Sequence, residues 1–210
     1  MLECGIDEAG RGPVIGPLVI CGVCGDPEIL KGLGVRDSKK LSPRRREFLY
    51  DEILKNVKSY RCMEIWPEEI DTLREKMTLN EIESMYFSYI IDSLDGDIFI
   101  VDAADTSEER FSETIKKYSR KNVRIISEHR ADENYPVVSA ASIIAKVTRD
   151  REIERIKKEI GDFGSGYPSD QRTINFISDY LKENGRYPPY TRKSWKTLKR
   201  LNRNIESYGD

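Results

Sequence analysis

Hydrophobic positions along this chain switch between a period of two and a period of three to four. Cys4 to Asp7 and Val14 to Cys24 are short runs rich in β-branched residues. The segment between them, Ala9-Gly10-Arg11-Gly12-Pro13, is marked as a turn by its glycines, so the pattern predicts a hairpin. Ser42 and Pro43 supply an N-cap and a first-turn proline, and Phe48, Leu49, Ile53 and Leu54 follow at helical spacing. Tyr60 to Trp66 predicts a third strand. Thr78-Leu79-Asn80-Glu81 has the form of a capping box ahead of the apolar stripe Ile82, Met85, Tyr86, Tyr89 and Ile90. Asp97 to Asp102 is a buried-type strand entered and left by acids, followed by a helix near Glu108 to Tyr118 and a strand from Val123 to Ser127. Strand, helix, strand in that order implies parallel pairing. Pro136 opens a helix whose Val137, Ala140, Ala141, Ile144 and Val147 share one face, with charged residues taking over until Gly161. A loop from Gly161 to Tyr167 and two further helical stretches complete an α/β chain without internal repeats.

Composition narrows the class. The chain has 210 residues, 38% hydrophobic and 34% charged, with 35 basic against 37 acidic residues, enough for one substantial core and too apolar for a disordered chain. The longest apolar run, Val14 to Cys24, is interrupted by Gly16, Pro17 and Gly22 and is shorter than the roughly 20 residues a membrane span needs. The N-terminus reaches Asp7-Glu8 without the basic and apolar regions of a signal peptide, which predicts no export and a cytoplasmic location. Cys4, Cys21, Cys24 and Cys62 are too few and too irregularly spaced for a disulfide scaffold. They are expected in a reducing cytosol, Cys21 and Cys24 as core residues on opposite faces of a strand.

The near-neutral total hides a strong asymmetry. Six basic residues stand between Arg36 and Arg46 against Asp37 alone, and seven between Arg186 and Arg203 with no acid, while Glu64 to Glu113 holds fifteen acids. Two basic segments suit a polyanion, although solvated helix faces give the same pattern.

The chemistry is carried by carboxylates. Sites in open α/β sheets gather outside strand termini. Asp7 and Glu8 end the first strand, Asp102 ends the central one, and Asp132 lies five residues past Ser127. Converging carboxylates suit hard divalent cations, and two such ions can clamp the attacking and leaving oxygens of a phosphodiester. One histidine cannot build a His-rich zinc site, and neither a nucleophile elbow nor a P-loop pattern is present. Adjacent strand residues face opposite ways, so for Asp7 and Glu8 to share a site the chain must bend, which Gly5 and Gly10 permit.

Six segments, in order, cover nearly the whole chain: Gly5-Ile6-Asp7-Glu8-Ala9-Gly10-Arg11-Gly12, Asp37-Ser38-Lys39-Lys40-Leu41, Val101-Asp102, Ala131-Asp132, Ser139-Ala140-Ala141-Ser142-Ile143-Ile144-Ala145-Lys146 and Gly164-Ser165-Gly166-Tyr167-Pro168-Ser169-Asp170. Together they resemble the ribonuclease HII family in its archaeal form. The resemblance implies a ribonuclease H-like mixed five-stranded sheet flanked by helices, with a C-terminal helical extension. Residues 1–160 would be the catalytic domain and residues 161–210 the substrate-binding loop and C-terminal helical region. It further implies Mg²⁺- or Mn²⁺-dependent hydrolysis of the RNA strand of RNA/DNA hybrids, and cleavage at ribonucleotides embedded in DNA. The family's metal-binding acids map onto Asp7, Glu8, Asp102 and Asp132, with Asp105 expected to cap the following helix instead. Gly10, Arg11 and Gly12 map onto the segment that reads the ribose 2′-hydroxyl, and Tyr167 onto the ring that packs on the next deoxyribose.

Lys39, Lys40 and Lys146 are expected at phosphates, with helix-surface solvation accounting for Lys146 almost as well. Arg192, Lys193 and Lys196 are expected to be exposed phosphate contacts around a packing Trp195. His129 is either near the site or an ordinary structural histidine. The chain is expected to act as a monomer with no membrane partner, and its last residues show no clamp-binding peptide of glutamine and paired aromatics. Two other readings differ in what they require. A junction resolvase or exonuclease of related fold needs no 2′-hydroxyl reader, and a non-catalytic hybrid-binding module needs no set of four acids.

Overall fold

The computed structural model describes residues 1–35, 41–198 and 200. By contacts the chain divides into two units. One comprises Met1–Ala9, Val19–Glu64 and Met77–Arg149, the other Gly10–Leu18, Ile65–Lys76 and Asp150–Asp210.

The strands are β1 (Glu3–Ala9), β2 (Leu18–Gly25), β3 (Ser59–Ile65), β4 (Ile98–Asp102) and β5 (Arg124–Glu128), in the sheet order β3-β2-β1-β4-β5. β1 pairs antiparallel with β2, while β1–β4 and β4–β5 are parallel. The predicted hairpin is therefore present, but β2 begins at Leu18 rather than Val14. Pro13 and Pro17, which lack a ladder donor, bracket the residues the strand loses.

Eight helices are described: α1 (Pro27–Leu33), α2 (Pro43–Asn56), α3 (Pro67–Leu73), α4 (Leu79–Ser93), α5 (Glu108–Tyr118), α6 (Ala131–Asn134), α7 (Pro136–Ile160) and α8 (Gln171–Asn184). Local chemistry sets several of their starts. Ser42 Oγ accepts from the Arg45 amide at 3.2 Å, and the box at α4 closes in both directions, Glu81 N to Thr78 Oγ1 at 3.2 Å and Thr78 N to Glu81 Oε2 at 2.7 Å. α1, α3 and α6 have too few turns to show a helical period and were not foreseen.

Glycines let both faces of the central strands carry a helix in the first unit. A Cβ on Gly5 would lie 2.3 Å from backbone atoms of Val137 and Val138, so only glycine lets the start of α7 touch β1. On the other face, a Cβ on Gly22 would lie 2.3 Å from Ile90 and 2.9 Å from Leu94. Gly22 stands opposite Ile6, so α4 covers the face that α7 does not. Phe87 of α4 meets Phe111 of α5 edge-on, with ring centroids 5.3 Å apart.

The expectation of unpaired core thiols is corrected: Cys4 is bonded to Cys24 and Cys21 to Cys62. Cys21 and Cys24 do face opposite sides of β2, as their spacing requires, and each meets a partner on its own side. The β1–β2 register sets Cys4 directly opposite Cys24, a juxtaposition that spacing in the sequence cannot show.

In the second unit Val14, Ile15, Ile153, Ile156, Phe163, Ile177 and Leu198 form a separate apolar cluster. The segment after Gly10 is held there by backbone bonds, with Val14 N donating to Gly166 O at 2.7 Å and Gly16 N to Tyr190 O at 2.9 Å. Among the described residues no helix is long and apolar enough to cross a membrane.

Candidate active site

Ligand oxygens of Asp7, Asp102 and Asp132 lie within 4.8 Å of one another. The sheet accounts for the first two. The parallel register pairs Ile6 with Val101, so the next residues along, Asp7 and Asp102, stand abreast where that pairing ends; Asp102 closes β4, whereas β1 runs on to Ala9 and does not end at Asp7 and Glu8 as expected. Asp132 arrives from α6, one turn after β5. Arg130 adopts a left-handed conformation there (φ 57°) and its amide donates to Asp102 Oδ1 at 2.9 Å. The Ser139 hydroxyl donates to the Asp132 carbonyl.

α7 supplies the environment of Asp7. From the contact at Gly5, two residues of strand advance about 6.6 Å. From Val137 and Val138, four to five residues of helix advance about 6 to 7.5 Å. The two elements keep step, which brings Ser142 to Asp7 as a hydrogen-bond donor. Lys146 Nζ in turn donates to Ser142 Oγ at 2.7 Å. Burial pushes the Asp7 carboxyl above its ordinary range, opposed by the Ser142 hydroxyl, the Lys146 charge and the Glu8 amide at 2.7 Å; the neighbouring Asp132 pushes upward again. Three carboxylates this close, Asp7 and Asp132 buried and Asp102 half-buried, repel one another unless a cation is shared. An all-oxygen donor set of this kind fits a hard divalent ion.

Glu8 stands outside this group. The β1–β2 register is unbroken from Glu3 to Ala9, so the strand pairing shows no bend between Asp7 and Glu8. Gly5 serves the close approach of α7 instead. Asp105 is also outside the group, as expected, but it is not the helix cap. Ser107 caps α5, while buried Asp105 is bound by Arg110 and by Asn80 at 2.9 Å. The Arg110 guanidinium holds the Asp105 carboxyl well below the usual carboxylate range. The charged form is thus favoured by folding, so its stabilisation is in place above the ordinary value of 3.8 and is lost as pH falls through the depressed one. Asp105→Asn is expected to lower the melting temperature at pH 7, and the gap from wild type should narrow as melts are taken below pH 4. His129 is exposed; its backbone amide donates to Glu108 Oε1 at 2.7 Å, and it takes no part in the acidic group.

Gly10, Arg11, Gly12, Tyr167, Arg192, Lys193 and Lys196 lie in the second unit. Gly10 is buried with φ 87°, and Gly12 is exposed; a Cβ on Gly12 would meet the Tyr167 ring at 3.4 Å. Tyr167 itself is 40% exposed, and its loop is tied down by Ser165 N to Asp170 Oδ2 at 2.8 Å and Gly166 N to Thr173 Oγ1 at 3.0 Å. Lys193 and Lys196 are exposed, as predicted, whereas Arg192 is not: it is fully buried. Its guanidinium is turned inward to backbone carbonyls, and no composition-based reading of a basic run separates that residue from its neighbours. Lys39 and Lys40 lie outside the described residues. If the exposed pair contacts phosphates, Lys193→Ala with Lys196→Ala should weaken hybrid binding and flatten the slope of log affinity against log salt by about one to two units. An unchanged slope in a binding titration would make them solvated side chains only.

Sequence reasoning assigned no role to Ser142, Ser139 or Arg130. The first two stood inside a quoted motif, but a serine on an apolar helix face carries no signal of the acid it touches. The Arg130 amide is a backbone group and leaves no mark in the sequence.

A mixed sheet with helices on both faces and acids gathered at the ends of adjacent strands defines a nuclease of the ribonuclease H-like class. The family model of ribonuclease HII matches residues 4–198. The ribonuclease HII of Thermococcus onnurineus is 50% identical over 202 residues, which cover 94% of this chain and 88% of that protein. The crystal structure of the ribonuclease H2 from Pyrococcus horikoshii superposes with a TM-score of 0.92 at 43% identity, covering 98% of this chain and 99% of the other. The ribonuclease HII in the PCNA complex from Archaeoglobus fulgidus gives a TM-score of 0.87 at 46% identity, over 93% and 96% of the two chains. The chain belongs to the ribonuclease HII family, and it is a hydrolytic endoribonuclease of the ribonuclease H kind.

Proposed function

We propose that this protein hydrolyses the RNA strand of RNA/DNA hybrids and cuts duplex DNA at embedded ribonucleotides, by two-metal-ion catalysis with Mg²⁺ or Mn²⁺. The observation that carries the reading is the convergence of Asp7, Asp102 and Asp132 to within 4.8 Å. These three would hold the metal. The share of Glu8, which is not one of the three converging acids, rests on its place in the family motif. Bound divalent cations lower the pKa of a water and offset charge on the phosphodiester oxygens.

The chain's own groups do the positioning. Ser142 and Lys146 orient the Asp7 carboxylate, the Arg130 amide orients that of Asp102, and Ser139 fixes the backbone that carries Asp132. Gly10, Arg11 and Gly12 read the 2′-hydroxyl, since a glycine-rich backbone approaches a sugar closely and that hydroxyl is what separates RNA from DNA. Tyr167 packs on the following deoxyribose. Lys39, Lys40, Lys146, Lys193 and Lys196 meet phosphates. In this proposal residues 1–160 are the catalytic domain and residues 161–210 the substrate-binding loop and C-terminal helical region, in a cytoplasmic monomer. The Archaeoglobus relative is in complex with PCNA, and we extend that class of partner to this chain.

The test is cleavage of a duplex carrying one ribonucleotide, the same duplex in DNA alone, and a continuous hybrid. Cutting of the first and third, with the second intact, is expected in Mg²⁺ or Mn²⁺. Equal cutting of the all-DNA duplex would instead indicate a nuclease indifferent to ribose. Tyr167→Ala adds a sharper comparison. Its rate should fall more on the single-ribonucleotide duplex than on the continuous hybrid, and equal losses would reduce Tyr167 to a general binding residue.

A further inference from the structure

The carbonyls of the Gly10 segment are gathered by residues some 180 positions later in the chain. Arg192 donates from Nη2 to Gly10 O at 2.7 Å, from Nη1 to Arg11 O at 3.0 Å and from Nε to Gly16 O at 2.9 Å. Its own amide donates to Val14 O at 2.8 Å. Trp195 Nε1 donates to Gly12 O at 3.2 Å, and its ring lies under the Arg192 guanidinium at 4.9 Å. Five carbonyls of a seven-residue segment are therefore bound by two side chains and one amide.

A fully buried guanidinium is costly to desolvate, and its planar fork satisfies three carbonyls at once, which a lysine ammonium cannot reproduce in the same geometry. The trans peptide group gives this arrangement a directional consequence. Its C=O and N–H point to opposite sides of the chain. Turning the Gly10 and Arg11 carbonyls onto Arg192 turns the N–H groups of Arg11 and Gly12 the other way.

We propose that Arg192, with Trp195, is a positioning residue for ribose recognition: it sets the peptide planes of Gly10 to Gly12 so that the Arg11 and Gly12 amides present donors to the 2′-hydroxyl side of the substrate. This rests on the reading of Gly10 to Gly12 as the hydroxyl reader. It assigns Arg192 a role distinct from that of the exposed Lys193 and Lys196, because no phosphate reaches a side chain with no exposed surface.

The experiment measures, for wild type, Arg192→Lys, Trp195→Phe and Gly12→Ala, the single-turnover rate in Mg²⁺ on a one-ribonucleotide duplex. It also measures, in EDTA, the affinity ratio between that duplex and its all-DNA counterpart. Arg192→Lys should lower the maximal rate by about 100-fold, the cost of roughly 1 Å of misplacement. The half-saturating concentration should stay within about threefold, and the affinity ratio should move towards one. Trp195→Phe keeps the ring under the guanidinium and removes one donor, so it should move the ratio the same way by less. It tests the idea even if Arg192→Lys fails to fold. If Gly12→Ala shifts the ratio and neither Arg192→Lys nor Trp195→Phe does, the positioning role is overturned while the hydroxyl reader stands. If Gly12→Ala also leaves the ratio unchanged, the reader itself is refuted and the inference goes with it. Equal weakening of both duplexes by Arg192→Lys, with the ratio kept, would make Arg192 a support of the fold alone.

Discussion

Asp7→Asn and Asp102→Asn are each expected to lower turnover of an RNA/DNA hybrid by more than about 100-fold, because losing a group that merely orients a metal ligand already costs about 10- to 100-fold. Hybrid binding should stay nearly intact, since neither acid contributes a positive charge to phosphate contacts and each removes a negative one. The Asp7 substitution also carries a stability signature. Burial raises the folded-state pKa of Asp7, so folding favours its protonated form. That contribution is present below the ordinary carboxylate range and is lost as pH rises through the raised value. In EDTA the melting temperature of Asp7→Asn should therefore exceed that of wild type at neutral pH, with the difference shrinking towards acid. Saturating divalent metal should reverse the order by stabilising wild type alone. Near-normal turnover in either variant at saturating Mg²⁺ would remove the assignment of these acids as ligands.

Gly10→Ala should abolish cutting at an embedded ribonucleotide with all the acids in place. Gly10 sits at φ 87°, where an L-residue costs about 1–2 kcal/mol, so the segment relieves the strain by rotating peptide planes whose carbonyls Arg192 binds. A site built to hydrogen-bond a hydroxyl rejects an analogue lacking it by up to about 10⁴. Losing the site's geometry forfeits discrimination of that order, a far larger loss than the stability cost. The check is a pair of measurements, rate on the one-ribonucleotide duplex and melting temperature. A variant that keeps its rate despite a lowered melting temperature would show that the backbone at Gly10 is not part of the reader.

How far the site was legible depends on the kind of residue. Asp102 was visible because it ends a strand that can be read from period and composition; Asp7, two residues inside the end of β1, and Asp132, on α6, were visible as acids near expected strand ends and inside the family motifs. Glu8 was legible as a motif member, but that its strand runs on unbroken to Ala9 is established only by the pairing register. Arg192 was misread for a related reason. In sequence it is one base among seven, and burial under Trp195 depends on where a segment at the opposite end of the chain brings its carbonyls. The same limit applied to the cysteines, which spacing made core residues and strand register made partners.

The sequence by itself determined the alternation of strands and helices, the caps at Ser42 and Thr78, the parallel β4–β5 pair and the family to which the motifs belong. The elements, caps and single motifs are a matter of neighbours within a few positions, where propensity, period and capping act directly, and the parallel pairing follows from the order of the elements. Tertiary structure alone decided that α7 lies against Gly5 and so delivers Ser142 to Asp7, that Asp132 joins two acids from the sheet, and that Arg192 faces inward to Gly10. These are contacts between residues from 30 to about 180 positions apart. The free energy that selects them comes from burying apolar surface and satisfying polar groups across the whole fold, and no local pattern records it.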